Sequence, residues 1–324
     1  MLSYLQLKRF IKIIENNVRR LELNLSGYTV VTECATGIYS CTPIIALLAG
    51  AERVVAYGQD SKFGSFFSAK KDLLALAHSS NVTINNLTLT NREGELKSWL
   101  RKADIITNSG HLRPLDKQKL SNLKRNAVVS LMYEHWELRE TDIDLSYCKE
   151  KSIKVAGTNE RHRDLCIFDY LGPLLVKTLL NANLEVVNNK FLLICDNDFK
   201  DYIAKTLLSF GAEVYYYPDF ALTDLDGIIF AHTPYSCGGH LTINYNLLPK
   251  DVFICVQVWG DVNRRFFNST WLPETEPTKG HMGIYLSDLG FETVVRLQTG
   301  GLKVGELLLT DKTDSDGKEL AQII

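Results

Sequence analysis

Three observations predict an α/β fold of two Rossmann-like domains, with parallel sheets and an interdomain cleft. Strand-like and helix-like segments alternate along most of the chain, the pattern of a parallel sheet covered on both faces. A strand–helix–strand unit stands out near residue 190. Its parts are the apolar run Phe191, Leu192, Leu193, Ile194 and Cys195, a helical stretch over 202–212, and a second strand of Glu213, Val214 and three tyrosines. Finally, 324 residues at 45% hydrophobic and 23% charged give room for two domains with ordinary cores.

The elements follow in order. Residues 1–20 read as an amphipathic helix, with Leu2, Leu5, Phe10, Ile11, Ile14 and Val18 near one face and Lys and Arg between them. They lack the unbroken apolar core and small-residue cleavage site of a signal peptide, so a packed surface helix is expected. Strands follow at 28–32, 53–57, 82–87, 103–108, 127–132 and 153–156, with helices at 38–49, 65–77, 93–100 and 115–120. A long helix over 165–183 leads into the second block, which adds strands at 227–231 and 253–258. A last helix over 291–309 crosses back, and a polar, frayed tail occupies 311–317. The expected domains are 1–164 with the helix 291–310 packing back, and 165–290.

Composition narrows the function classes. A net charge of -2 supplies no basic field for nucleic acid. No apolar run reaches the ~18 residues that would suggest a membrane span. Seven cysteines without a C-x-x-C pair indicate a reducing cytoplasm and no metal site. Cys148, Cys166 and Cys255 lie in apolar stretches and are expected to be buried.

The unit near residue 190 contains a conflict. A dinucleotide turn carries G-x-G-x-x-G, so that backbone N–H groups approach the pyrophosphate closely. Here the turn is Asp196, Asn197, Asp198, Phe199, Lys200 and Asp201, which puts three carboxylates where a dianion would bind. The turn from Glu33 to Gly37 is the better cradle, because Thr36 and Gly37 open a helix whose free N–H groups suit an anion. Ordinary capping of that helix explains the same residues without a ligand.

Several segments in order resemble the D-2-hydroxyacid dehydrogenase family. They are ADIITNSG over 103–110, DIDL over 142–145, KSIKVAGTN over 151–159, DGIIFAHTP over 226–234 and KGHMG over 279–283. The resemblance covers the chain from about Ala103 to the last helix. It implies a split catalytic domain, an inserted NAD(P) domain, a homodimer, and His281 as catalytic acid/base. Three departures accompany it: the glycine-free turn, Trp259 where the family's carboxylate-holding arginine belongs, and an acid displaced to Asp219 behind Pro218. Together they imply that NAD(P) binding is weakened or replaced. A second resemblance, over 28–61, is to motif I of Rossmann-type methyltransferases, and implies S-adenosylmethionine. Here Gly58 stands where the ribose-binding acid belongs.

The candidate catalytic residues are His281, His232 and Glu134. His281 lies in a Pro/Gly-punctuated loop, His232 ends a strand before Pro234, and Glu134 follows the strand at 127–132. Each has a plainer reading: a loop brace, a strand-end histidine bonded to backbone, and a surface polar residue together with His135 and Trp136. The candidate cofactor residues are Thr36, Gly37, Asp196, Asn197, Asp219 and Thr233. The sequence therefore predicts an oxidoreductase-like enzyme acting on a small polar or anionic molecule in the cleft. The alternatives are a non-catalytic ligand-binding protein of the same fold, and a methyltransferase using the N-terminal unit.

Overall fold

The computed structural model describes residues 2–80, 82–220, 224–311 and 317–324. The chain divides into two compact units, Met1–Cys166 with Phe291–Ile324, and Ile167–Gly290. In chain order the first unit holds β1 (Thr29–Glu33), β2 (Arg53–Tyr57), β3 (Leu87–Thr90), β4 (Ile105–Thr107), β5 (Val128–Ser130) and β6 (Lys154–Thr158). The second holds β7 (Lys190–Ile194), β8 (Glu213–Tyr216), β9 (Gly227–Ala231), β10 (Ile254–Trp259) and β11 (Thr270–Leu272). The chain returns to the first unit with β12 (Ala321–Ile323).

Among the described residues the first sheet runs β12-β6-β5-β4-β1-β2-β3. Strands β1 to β6 are parallel and follow the 3-2-1-4-5-6 order in which dinucleotide folds place a ligand crevice between strands 1 and 4. These strands are short Val- and Ile-rich runs because both of their faces are covered. On one face Val31, Val55, Ile106, Val129 and Val155 form a cluster with Leu96, Leu100 and Leu120. The helix Phe291–Thr310 packs on β4, β5 and β6. Its glycines permit that approach: a Cβ on Gly301 would lie 2.0 Å from the Met132 sulfur, and one on Gly305 would lie 2.8 Å from Ile105. The helix is unbroken, so Gly300 and Gly301 serve close packing.

The N-terminal helix Tyr4–Arg20 opens with a capping box between Ser3 and Gln6. Its buried residues are Phe10, Ile13, Ile14 and Asn17, and Phe10 stacks on Phe291 with centroids 4.5 Å apart. Leu2 and Leu5, expected on that face, are exposed.

The second sheet is parallel and runs β11-β10-β9-β7-β8. Its core gathers Leu192, Ile194, Ile228, Phe230 and Cys255.

Several boundaries differ from expectation. The strand expected over 82–87 is a single turn, Ile84–Asn86, followed by β3. The helix expected from 165 begins at Leu171, because Cys166 takes a left-handed φ of 48 and the next residues form a short 3-10 turn. Cys166 is half-buried, unlike Cys148 and Cys255. Most of the polar tail, 312–316, lies outside the described residues.

Candidate functional site

In the second unit, the turn after β7 is tied to the end of β9. Asp196 Oδ1 accepts the Thr233 N–H at 2.8 Å and the Thr233 hydroxyl at 3.1 Å. The Asn197 amide donates to the Ala231 carbonyl at 3.0 Å, and its Oδ1 accepts the Phe199 N–H at 3.0 Å. The groups that would cradle a pyrophosphate are therefore spent on closing the turn. Phe199, 4% exposed, fills the space behind it against Phe168 and Trp259, with centroids 5.1 Å and 5.8 Å away. This turn does not fit NAD(P): a phosphate would displace a satisfied Asp196–Thr233 pair and then face Asp196, Asp198 and Asp201.

Asp196, Asn197 and Thr233 are thus brought together, with His232 beside them at the end of β9. His232 is 2% exposed; its Nε2 lies 3.3 Å from the Asp261 carbonyl and its Nδ1 has no partner. Gly260 walls the ring, since a Cβ there would come within 2.3 Å of it. Burial lowers the pKa of His232 against the opposing pull of Asp196 and Asp261, which keeps the imidazole neutral. His281 and Asp219 stand exposed in separate loops. Trp259, at the position of the resemblance's arginine, is buried and donates to the Gly280 carbonyl at 3.2 Å. Arg264 braces the same region: it bonds Gln257 and the Pro273 carbonyl and stacks over Trp271 at 4.7 Å.

The first unit carries a different arrangement at the carboxyl ends of β1 and β4. Two donors of the cofactor residues proposed there are already taken. The Gly37 N–H donates to Asp72 Oδ2 at 3.0 Å, and the Thr36 hydroxyl donates to the Phe63 carbonyl at 3.3 Å. A carboxylate already occupies the anion position.

Beside that turn, Glu33 ends β1 at 7% exposure. Burial raises its pKa to about 7, and only the Arg113 guanidinium pulls it back down. The register explains how it meets β4. Val31 pairs with Ile106, and the next residues, Thr32 and Thr107, share a hydroxyl bond of 2.9 Å. Glu33 and Asn108 therefore end neighbouring strands. Asn108 is fully buried; its amide nitrogen donates to the Tyr133 hydroxyl at 2.7 Å, while its Oδ1 has no partner. Tyr133 donates in turn to Asp142 at 2.9 Å, and Arg113 lies over the Tyr133 ring at 5.8 Å. The result is a buried carboxyl raised to about 7, a cation and an unfilled acceptor at a topological switch point.

Glu134 is placed differently from its surface expectation. It is fully buried and accepts hydrogen bonds from the Glu160 N–H at 2.9 Å, Trp136 Nε1 at 3.0 Å and Gln322 Nε2 at 2.6 Å. Its oxygens are committed to joining the ends of β5, β6 and β12. Around it, burial raises Glu137 to about 7 and lifts Glu160 well above the carboxylate range. Sequence reading passed over Asn108, Arg113, Tyr133 and Asp142. Their only local signal is the change from apolar Ile105 and Ile106 to polar Asn108, Ser109 and Gly110 at a strand end.

The chain is similar in structure to a dipicolinate synthase component from Bacillus halodurans, with a TM-score of 0.51 and 12% identity, covering 89% of this chain and 98% of that one. The two share a fold. At that identity the likeness extends to the fold alone. Other similar structures are an NAD+-bound 3-phosphoglycerate dehydrogenase from Entamoeba histolytica (TM-score 0.46, 10% identity, 91% and 98% covered) and an NAD-dependent formate dehydrogenase from Staphylococcus aureus complexed with NAD (TM-score 0.44, 14% identity, 84% and 98% covered). Several such neighbours are dehydrogenases of the D-2-hydroxyacid type that the sequence segments resemble. At these scores they carry no argument about the site. No protein-family model matches the chain, and no curated protein matches it. The α/β class with two Rossmann-like domains stands. Among the described residues no helix is long and apolar enough to cross a membrane, and no group of His, Cys, Asp and Glu is arranged to hold a metal.

Proposed function

We propose that the chain is an acid–base enzyme acting on a small polar or anionic molecule bound at the carboxyl edge of the first unit's sheet, with Glu33 as the proton-exchanging group. One observation carries this reading: Glu33 is buried at the β1/β4 switch point, titrates near neutrality and has Arg113 as its charged neighbour. A general base works best when its pKa lies near the operating pH, and burial against a single cation achieves that here. Arg113 supplies positive charge for an anionic substrate, and Asn108 Oδ1 an acceptor for a substrate donor.

Hydride transfer of the D-2-hydroxyacid dehydrogenase type is left out of this reading. What supports leaving it out is the Asp196–Thr233 closure, together with Trp259 in place of the carboxylate-binding arginine. The neighbours' NAD is a property of those proteins.

Calorimetric titration tests the proposal, using NAD+, NADH, NADP+, S-adenosylmethionine and a panel of small hydroxy- and oxo-acid anions. Saturable binding of one of the small anions, weakened at least tenfold in Glu33→Gln or Arg113→Gln, supports it. Tight NAD+ binding that survives both substitutions and is lost on crowding the 196–201 turn would restore the dehydrogenase reading.

A further inference from the structure

The guanidinium of Arg113 is held in place without being used. It stacks over Tyr133 at 5.8 Å and lies 3.8 Å from Asp142, too far for a hydrogen bond, and its side chain is 34% exposed. Among the described residues no acceptor takes a hydrogen bond from it. Asp142 is shared with Arg139 at 3.7 Å and is already bonded by Tyr133, so it does not neutralise Arg113 alone. An arginine that is oriented by a ring and has open donors presents its planar fork to an oxyanion.

The other charged neighbours of Glu33 frame what such an anion would do. Just past its strand lies the buried thiol Cys34, and Cys41 opens the following helix; burial pushes both thiols up and keeps them neutral. Lys70 and Asp72, of the helix Phe66–Ser79, act on Cys34 with opposite signs. Burial lowers the pKa of His111, beside Gly110. Arg113 is thus the cation that favours the ionised form of Glu33.

We propose that Arg113 is the receptor for a small oxyanion, carboxylate or phosphate, and that the anion binds together with a proton taken up by Glu33. The inference rests on the reading above and deepens it by naming the ligand chemistry. Coulombic linkage supplies the reason. An anion on Arg113 cancels the one charge that lowers Glu33, so the desolvated carboxyl prefers its proton in the complex.

The probes are sulfate and oxalate, neither of which titrates near neutral pH. Each is titrated calorimetrically from pH 6 to 9, in two buffers of different ionisation enthalpy. The expected result is saturable binding with proton uptake, and an affinity that falls about tenfold per pH unit once Glu33 is ionised. Glu33→Gln should bind at least as well at pH 8 and take up less proton, the remainder falling to Glu137, which Arg113 also lowers. Arg113→Gln should lose binding tenfold or more. Arg113→Lys, which keeps the charge but not the fork, should bind more weakly while the proton uptake persists, and equal thermal melting of the variants confirms that they fold. Sulfate binding the better points to a phosphate ligand, and oxalate to a carboxylate.

Absence of binding by both anions, equal binding in Arg113→Gln, or proton uptake undiminished in Glu33→Gln overturns the inference. Proton-coupled binding in a protein without turnover on any panel compound would sink the enzyme reading and leave this inference standing. Turnover dependent on Glu33 without anion coupling would do the reverse.

Discussion

A Cβ placed on Gly110 would lie 1.7 Å from Oε2 of Glu33. The carboxyl fits at the β1/β4 edge because the turn after β4 has no side chain at position 110. Gly110 also has a φ of +46, in the left-handed region that glycine tolerates best.

Gly110→Ala should therefore act on Glu33 directly. Alanine would expel the carboxyl and strain the backbone, costing about 2–4 kcal/mol of stability. Urea unfolding of the variant, followed with any small-anion binding, checks this. A variant of unchanged midpoint and unchanged binding would show that Gly110 does not shape the site.

The buried carboxyls also make stability depend on pH, with a definite sign. Glu33 and Glu137 are raised to about 7 and burial also lifts Glu160 well above the carboxylate range, so the folded chain holds these protons more tightly than the unfolded one. Their contribution is complete below the ordinary carboxylate pKa of about 4.5 and is lost as pH rises through about 7. Urea midpoints should fall between pH 6 and pH 8.5, by an amount equivalent to a few kcal/mol at most. Substituting Glu137 and Glu160 together by Gln should flatten that fall. A midpoint that climbs over this range would contradict the assignment.

Asp196→Ala should destabilise the second unit by about 1–3 kcal/mol, since the Thr233 N–H and hydroxyl lose their acceptor. It should not create an NAD+ site, because Phe199 still fills the space behind the turn. Thermal melting with and without NAD+ is the measurement. An upward shift with NAD+ in the variant alone would show that the aspartate is the sole obstacle.

Glu134→Ala should cost about 1–3 kcal/mol, as the Gln322 amide and the Glu160 N–H lose a buried acceptor. Hydrogen exchange should then rise first at β12, which Gln322 anchors through Glu134 and the His135 N–H at 2.9 Å. Exchange that rises uniformly across the first sheet would mean that Glu134 acts on the whole unit and not on that strand.

Local pattern carried the strand and helix alternation, the short apolar runs of β1, β2, β7, β9 and β10, and the acidic character of the 196–201 turn. Each of these depends on neighbours within a few residues, where hydrophobic period and turn chemistry operate. Glu134 looked like a surface residue because nothing near it in sequence shows that β12 returns antiparallel to β6 and covers that edge. Cys166 looked buried because its apolar context hides a left-handed backbone.

Local sequence carries the α/β class and the acidic, glycine-free character of the second unit's turn. Only the tertiary fold sets Glu33 beside Asn108 and within the field of Arg113. Strand order sets β4 beside β1 across a long stretch of intervening chain, and the pKa of Glu33 is the balance of a burial and a charge that both arise from that pairing.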